Sequence, residues 1–295
     1  MTDETSTLTI LQAYLNDMIE FTNLMELFAF LSGIKSVIRF TGLPNELQNY
    51  ASIVCRLNLF YKIPPIHLKT IYQNSIFDSF TEIVSGFPAK DEFGLLFVGS
   101  PEHIDRAIDL ENSGCPAHEA ALLYGYPKCC ADNYEKNIQH DIFWLNSYFE
   151  KAPCIDSISW KINRIGRLFE PYLSILPDYF PCSVNCEKSL SLANEYCSLL
   201  EQRNLSPLIK IIREHLARPV LIHEGCIYWL HPLQDTFINR EDKSFMVKIL
   251  KTIAYDGSPI SMDTLLLKRK NNYLIVNNSE SGGKISASTK LLLFG

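Results

Sequence analysis

The sequence predicts an α+β fold in which an N-terminal α/β part, a central helical part bearing clustered cysteines and a small β-rich C-terminal part follow one another. Three observations predict it. Apolar residues recur at spacings of three and four over residues 7–33, which is the period of a helix. The run Phe93–Gly99 has the length and apolar character of a strand. After Arg218, short β-branched and aromatic runs alternate with turn residues. We therefore divide the chain into 1–110, 111–215 and 216–295.

The N-terminal part is predicted to mix helices and strands. Its elements are a helix over 7–33, a strand at 36–40, a helix from about 44 to Leu57, a helix over 68–80 and the strand Phe93–Gly99. Ser100 then offers a side chain that can cap a helix, and Pro101 takes the first helical position, where its missing N–H costs nothing. Strand, turn and helix in this order form one α/β unit.

The rest of the chain is predicted to contain a helical region and then a β-rich region. The helical predictions are a short helix through Tyr124, a mostly helical stretch over 141–180 and a helix over 187–200. The C-terminal predictions are two strands around Glu224-Gly225, part helix over 235–255, a hairpin with an Asn271-Asn272 turn, a polar loop over 277–289 and a closing strand from Lys290.

Composition excludes several classes of protein. The chain has 295 residues, of which 47% are hydrophobic, so it can bury a sizeable core. Its net charge of −6 argues against nucleic acid as a partner bound by phosphate neutralisation. No apolar run reaches membrane-spanning length, and the N-terminus lacks the basic stretch of a secretory signal. We expect a cytoplasmic protein whose nine cysteines stay reduced rather than forming a disulfide framework.

The central part is organised by the stretch Tyr-Gly-Tyr-Pro-Lys-Cys-Cys at 124–130. Gly125 tolerates backbone angles that other residues avoid, and Pro127 holds the preceding residue extended, so Cys129 and Cys130 are predicted to lie at a turn that begins a helix. Free N–H groups at a helix start lower the pKa of a thiol and favour the thiolate, which is the form that binds metals. Plain burial in a core is the alternative.

A second segment, Pro-Cys-Ser-Val-Asn-Cys at 181–186, repeats this pattern. Cys182 and Cys186 are four apart, so on a helix they would project from one face. Together with Cys129 and Cys130 they form a set of four sulfurs, which suits tetrahedral zinc or an iron–sulfur cluster. The third cysteine of the C-x-x-x-C-x-x-C pattern that marks radical S-adenosylmethionine enzymes is absent from this segment.

Other residues near these segments are weaker candidates. His118, Glu119 and Tyr126 are candidate catalytic residues, as proton donors or orienting groups; a solvated histidine at a helix start is the alternative for His118. Cys115 and Cys154 are each flanked by proline and are reserve ligands. A further cysteine at position 197 lies eleven residues after Cys186, roughly 16 Å along a helix, which is too far for a shared metal and predicts a core residue.

The two segments together resemble the hallmark elements of an uncharacterised family of bacterial and archaeal proteins. In that family a GYPxCC element is followed by PCSxxCxxS, and here the matching residues are 125–130 and 181–189. The similarity covers about 70 residues around the candidate site and not the termini. It implies that Cys129, Cys130, Cys182 and Cys186 act as one set of cluster or metal ligands, and it implies no particular reaction.

Three functional hypotheses are compatible with these residues. In the first, the four cysteines bind an iron–sulfur cluster, with the four-iron type favoured, and the protein performs redox or sulfur-transfer chemistry on a small molecule or peptide. In the second, zinc fills the site and the protein is a binding or scaffold module. In the third, the adjacent pair Cys129 and Cys130 is a vicinal-thiol redox centre, although a disulfide between neighbours is strained. The sequence predicts no membrane partner and leaves the oligomeric state open.

Overall fold

A computed structural model describes residues 3–16, 18–72, 79–113, 117–137, 157–163, 175, 179, 181–223, 226–230, 237–239, 244–254, 264–270, 273–278, 281–284 and 290–294. The described residues form eight α-helices: α1 (Asp3–Leu15), α2 (Phe21–Leu31), α3 (Pro44–Arg56), α4 (Pro101–Asn112), α5 (Ala117–Leu123), α6 (Lys128–Asn137), α7 (Glu187–Gln202) and α8 (Ser206–Leu216). A 3-10 turn spans Trp160–Ile162. These helices are combined with two largely antiparallel sheets, which confirms the predicted α+β class.

The N-terminal sheet has five strands: β1 (Val37–Gly42), β2 (Tyr61–Lys62), β3 (Ile66–Tyr72), β4 (Ser79–Ser85) and β5 (Phe93–Gly99). The order is β1-β5-β3-β4, with β2 also paired to β5, and every described pair is antiparallel. Strand β5 is apolar along its length because it is covered on both faces. Leu96 and Val98 point into the main core with α1 to α3, whereas Leu95 and Phe97 point into a smaller core with α4.

The second sheet has nine strands: β6 (Ser157–Ile158), β7 (Val220–His223), β8 (Cys226–Leu230), β9 (Phe237–Asn239), β10 (Ser244–Ala254), β11 (Thr264–Lys270), β12 (Tyr273–Asn278), β13 (Ser281–Lys284) and β14 (Lys290–Phe294). The order is β13-β12-β11-β10-β8-β7-β14-β6, and β9 pairs with β10. Strands β14 and β6 are parallel, which joins the closing strand to the middle of the chain. The other described pairs are antiparallel.

The main core joins residues from α1 to β8. Phe21 and Phe28 of α2 are fully buried, as are Tyr196 of α7 and Trp229 of β8, and all four belong to one apolar cluster. Helix α2 packs on α7, and α7 packs on α8 and the 3-10 turn. This arrangement holds the start of α7, and with it the second cysteine segment, close to the N-terminal half.

Several predicted elements are confirmed. Strand β5 and helix α4 follow one another at the predicted place, and the Ser100 hydroxyl accepts a hydrogen bond from the His103 N–H, as expected of a cap. Strands β7 and β8 pair on either side of 224–225, and β11 and β12 pair on either side of 271–272. The closing strand is β14.

Four predicted elements are wrong: strand pairing or core packing replaces a predicted helix in three of them and part of a predicted loop in the fourth. The helix over 7–33 is two helices, α1 and α2, whose intervening turn lets both pack on the same core. The helix over 68–80 is β3 and β4, which pair with each other and with β5. The part helix over 235–255 is β9 and β10, and the polar loop over 277–289 contains β13. Of the predicted helical stretch 141–180, residues 157–163, 175 and 179 are described, with β6 and the 3-10 turn among them; the rest lies outside the described residues.

The eight helices are too short or too polar for a membrane span. Within the part of the chain that the structure describes, none combines the length and the apolar character needed to cross a bilayer.

Candidate metal centre

Four cysteine sulfurs from two distant segments meet at one point. The Sγ atoms of Cys129, Cys130, Cys182 and Cys186 all lie within 4.8 Å of one another. Cys186 Sγ is 3.7 Å from Cys129 Sγ and 3.6 Å from Cys130 Sγ, and the sulfurs of the adjacent pair are 3.9 Å apart. All four cysteines are free thiols. Four sulfur donors around one centre can bind a metal ion.

The first two sulfurs are delivered by the turn between α5 and α6. Gly125 has φ +76, a left-handed conformation that strains other residues, and it follows the last residues of α5. The Tyr126 N–H donates to the Ala121 carbonyl, which closes this helix end. Helix α6 then begins at Lys128, and the Cys130 N–H donates to the Pro127 carbonyl. The pair therefore lies in the first turn of a helix, where we expected it.

The other two sulfurs are delivered differently from the prediction. Residues 182–185 form a bend and turn, and Cys186 is the N-cap of α7 with extended backbone angles, φ −65 and ψ 105. The Cys186 N–H donates to the Ser183 carbonyl across that turn. The expectation that Cys182 and Cys186 project from one helix face is therefore wrong. The turn brings them together instead, because α7 starts only after the second cysteine.

The site is buried on one side and open on the other. Cys130 and Cys186 are buried, Cys182 is half-buried and Cys129 is exposed. The Cys182 N–H donates to Cys130 Sγ at 3.3 Å, and the Ser189 hydroxyl lies 3.2 Å from the same sulfur. Hydrogen bonds of this kind hold a sulfur ligand in place and stabilise its negative charge. Our sequence reasoning assigned Ser189 no role, although its position one turn into α7 after Cys186 was a usable signal.

The thiols affect one another strongly. Hydrogen bonds from the Cys130 and Cys182 thiols lower the pKa of Cys186 despite its burial. Hydrogen bonds with Cys182 and Cys186 raise the pKa of Cys130, and burial raises it further. The hydrogen bond with Cys130 lowers the pKa of Cys182, but its contact with Cys186 and its burial outweigh that effect and raise this pKa to about 12. Four sulfurs this close cannot all ionise together unless a cation neutralises them.

The structure describes some of the remaining sequence candidates and not others. Glu119 is exposed on α5, and the side chain of His118 lies outside the described residues. Tyr126 is half-buried, and its ring stacks on Tyr179 with centroids 4.8 Å apart. The reserve ligands Cys115 and Cys154 lie outside the described residues. The cysteine at position 197 is buried in the main core on α7, as predicted.

Comparison with known proteins adds no relative to this picture. No protein-family model, curated protein or solved structure matches this chain. The resemblance of the two cysteine segments to a bacterial and archaeal family therefore stays a prediction.

Proposed function

We propose that this protein binds a single tetrahedral metal ion through Cys129, Cys130, Cys182 and Cys186, and that the ion is zinc. The observation that supports this proposal is the spacing of the sulfurs. A zinc–sulfur bond is about 2.3 Å, and in a regular tetrahedron it separates the sulfurs by about 3.8 Å. The three separations among Cys129, Cys130 and Cys186 are 3.6, 3.7 and 3.9 Å.

The same spacing argues against a four-iron cluster. Such a cluster binds each of its thiolates through a different iron, so the body of the cluster lies between the sulfurs and spreads them farther apart than one ion does. The largest separation in this site is 4.8 Å. Separations of this size are closer to those around one ion than to those around a four-iron cluster.

The proposed ion would act as a structural element. Four protein ligands leave no coordination position for water or substrate, which is the arrangement of structural rather than catalytic zinc. The ion would join the start of α6 to the start of α7, whose cysteines at 129 and 186 are 57 positions apart. Binding energy would then become folding energy for the central part of the chain. The protein would be a metal-stabilised binding module of the cytoplasm, where thiols stay reduced.

A second candidate is the iron–sulfur protein that the sequence predicted, acting in redox or sulfur-transfer chemistry on a small molecule or peptide. One observation favours it. Cys129 is exposed while its partners are half-buried or buried, so one edge of the site is open to solvent. A redox centre needs such an edge for electron exchange or for an exchangeable ligand, whereas a structural ion does not. When bound, the cluster would supply the electron-transfer or sulfur-transfer chemistry.

Metal analysis of anaerobically purified protein separates these candidates. For zinc we expect one ion per chain, no inorganic sulfide, no visible absorption and an X-ray absorption spectrum with four sulfurs at about 2.3 Å. Iron and sulfide in equal amounts with visible absorption would contradict the zinc proposal and favour the second candidate. Colourless protein without any metal would contradict both candidates and leave the vicinal-thiol hypothesis.

A further inference from the structure

A polar cavity of about 250 Å³ is lined mainly by residues of the N-terminal half. Tyr126 joins the cavity and the metal centre, because it lines the cavity and stands three residues before Cys129. None of the four cysteines is among the lining residues. The cavity is therefore a separate site, and its ligand chemistry does not depend on which metal the cysteines bind.

One buried ion pair forms part of the cavity wall. Lys35 Nζ donates to both carboxylate oxygens of Glu26 at 2.8 Å, and both side chains are almost fully buried. Lys35 Nζ also lies 4.7 Å from the centre of the Tyr126 ring. This pair offsets its own charge, so it shapes the cavity without favouring a ligand of either sign.

Arg39 contributes a guanidinium to the cavity wall, and its ion-pair partner Glu111 is not among the lining residues. Its Nη1 atom donates to Glu111 Oε1 at 2.6 Å, and Tyr124 donates to the same oxygen at 2.7 Å. Burial lowers the pKa of Arg39, but attraction to Glu111 and to the tyrosines at 124 and 126 outweighs burial and raises it, so the charge is permanent. The side chain is 31% exposed. A guanidinium has five N–H groups, so holding Glu111 leaves others able to bind a carboxylate.

Negative charge comes from a different group of lining residues. Glu20 precedes α2 and is exposed, and Glu46 lies in the first turn of α3, where its Oε2 atom accepts from the Leu43 N–H at 2.7 Å. Both carboxylates act on Tyr50: burial first, and then Glu20 and Glu46, raise the pKa of Tyr50 to about 12. Glu46 Oε2 and the Tyr50 ring both lie beside Gly42, whereas the Arg39 guanidinium lies 5.4 Å from the centre of the Tyr124 ring.

We propose that this cavity binds a small zwitterion of the amino-acid class, with its carboxylate at Arg39 and its ammonium group at Glu20 and Glu46. A simple anion would be attracted to Arg39 but repelled by the two carboxylates. A simple cation would be attracted to the carboxylates but repelled by Arg39. A molecule with both charges satisfies both groups. The volume of about 250 Å³ suits a molecule of this size and is small for a nucleotide or a folded peptide.

The test is calorimetric titration of the full chain, as purified with its metal, with each of the twenty common L-amino acids. We expect saturable binding of at least one. The analogue that lacks the α-carboxylate and the analogue that lacks the α-amine should each bind about tenfold or more weakly, because each loses a charged hydrogen bond.

Two variants test which side chain binds each charged group of the ligand. Glu20→Gln and Arg39→Gln should each raise the dissociation constant about tenfold or more for the same reason. The matched controls are Glu102→Gln on exposed α4 surface and Lys62→Gln, which breaks an exposed ion pair with Asp105, and both should bind normally. Glu20 is exposed, so its variant tests the proposal even if Arg39→Gln does not fold. The inference is overturned if no amino acid gives a saturable titration, if either analogue binds as tightly as the amino acid, or if a folded Glu20 variant binds normally.

Discussion

Replacing Cys186 by serine removes one of the four sulfurs while nearly keeping the size of the side chain. Cys186 is the sharpest choice because its sulfur lies 3.7 Å from Cys129 Sγ and 3.6 Å from Cys130 Sγ, so it contacts both halves of the first segment. Cys186 is the N-cap of α7, and serine is a favourable residue at that position, so the substitution should not weaken the helix start. The expected effect is therefore on the metal first.

The magnitude follows from the energy of structural zinc sites. Zinc binds such sites with about 10–16 kcal/mol, so one of four ligands is worth roughly 2.5–4 kcal/mol. That energy corresponds to a dissociation constant raised by about 10² to 10³-fold. Because the metal binds the folded chain, the melting temperature at a fixed zinc concentration should fall as well.

The assay is competition for zinc with a chelator of known affinity, read by metal content after gel filtration. The matched control is the serine variant of the cysteine at position 197, which is also buried on α7 but lies outside the cluster. That control should retain one zinc ion at the affinity of the unmodified protein. The reasoning is refuted if Cys186→Ser keeps the original affinity, or if both variants lose zinc to the same degree.

Three further predictions concern stability. Lys35→Met should lower the free energy of unfolding by about 3–5 kcal/mol, since it leaves the Glu26 carboxylate buried without its cation, and adding Glu26→Leu should recover most of that loss; urea denaturation of both variants checks this, and a single variant as stable as the unmodified protein would contradict it. Burial and nearby carboxylates raise the pKa of Tyr50 from 10.0 to about 12. The neutral hydroxyl therefore contributes its full stabilisation of the folded state below pH 10, and this stabilisation is lost as the pH rises through 12. In denaturation experiments at a series of pH values, the free energy of unfolding of the unmodified protein should therefore fall by roughly 2–3 kcal/mol more than that of Tyr50→Phe over that interval. The same pH dependence in both proteins would contradict the assignment of this effect to Tyr50. Ser100→Ala should cost about 1 kcal/mol through loss of the α4 cap, while Ser100→Asp should cost little because aspartate also caps, and equal losses in both variants would argue against a capping role.

The parts of the fold that sequence analysis predicted are those set by local chemistry. The cap at Ser100, the strand before it and the hairpin at 271–272 each depend on residues within a few positions of one another. The same holds for the turn before Cys129 and Cys130, where a glycine with φ +76 and a proline determine the path of the backbone. The prediction that Cys182 and Cys186 join them in one metal site also needed only the spacing of the cysteines in the sequence and the preference of metals for sulfur donors.

The parts that sequence analysis missed are those set by partners far away in the chain. Residues 66–72 and 79–85 form strands because β3 pairs with both β4 and β5, and a helical pattern in that segment could not reveal this. Cys182 and Cys186 approach each other through a turn, because Cys186 is the N-cap of α7 and the helix begins only after it. The polar cavity joins Glu20, Arg39 and Tyr126 from three separate elements.

The sequence by itself determined which atoms are available to bind a metal. They are the four thiol sulfurs of two segments that each contain a proline, and thiolates are soft metal ligands. Tertiary structure alone decided how far apart those sulfurs lie, and that distance is what distinguishes one ion from a cluster. The physical reason is that donor type is a property of each residue, whereas the separation of the sulfurs depends on where the fold places the starts of α6 and α7.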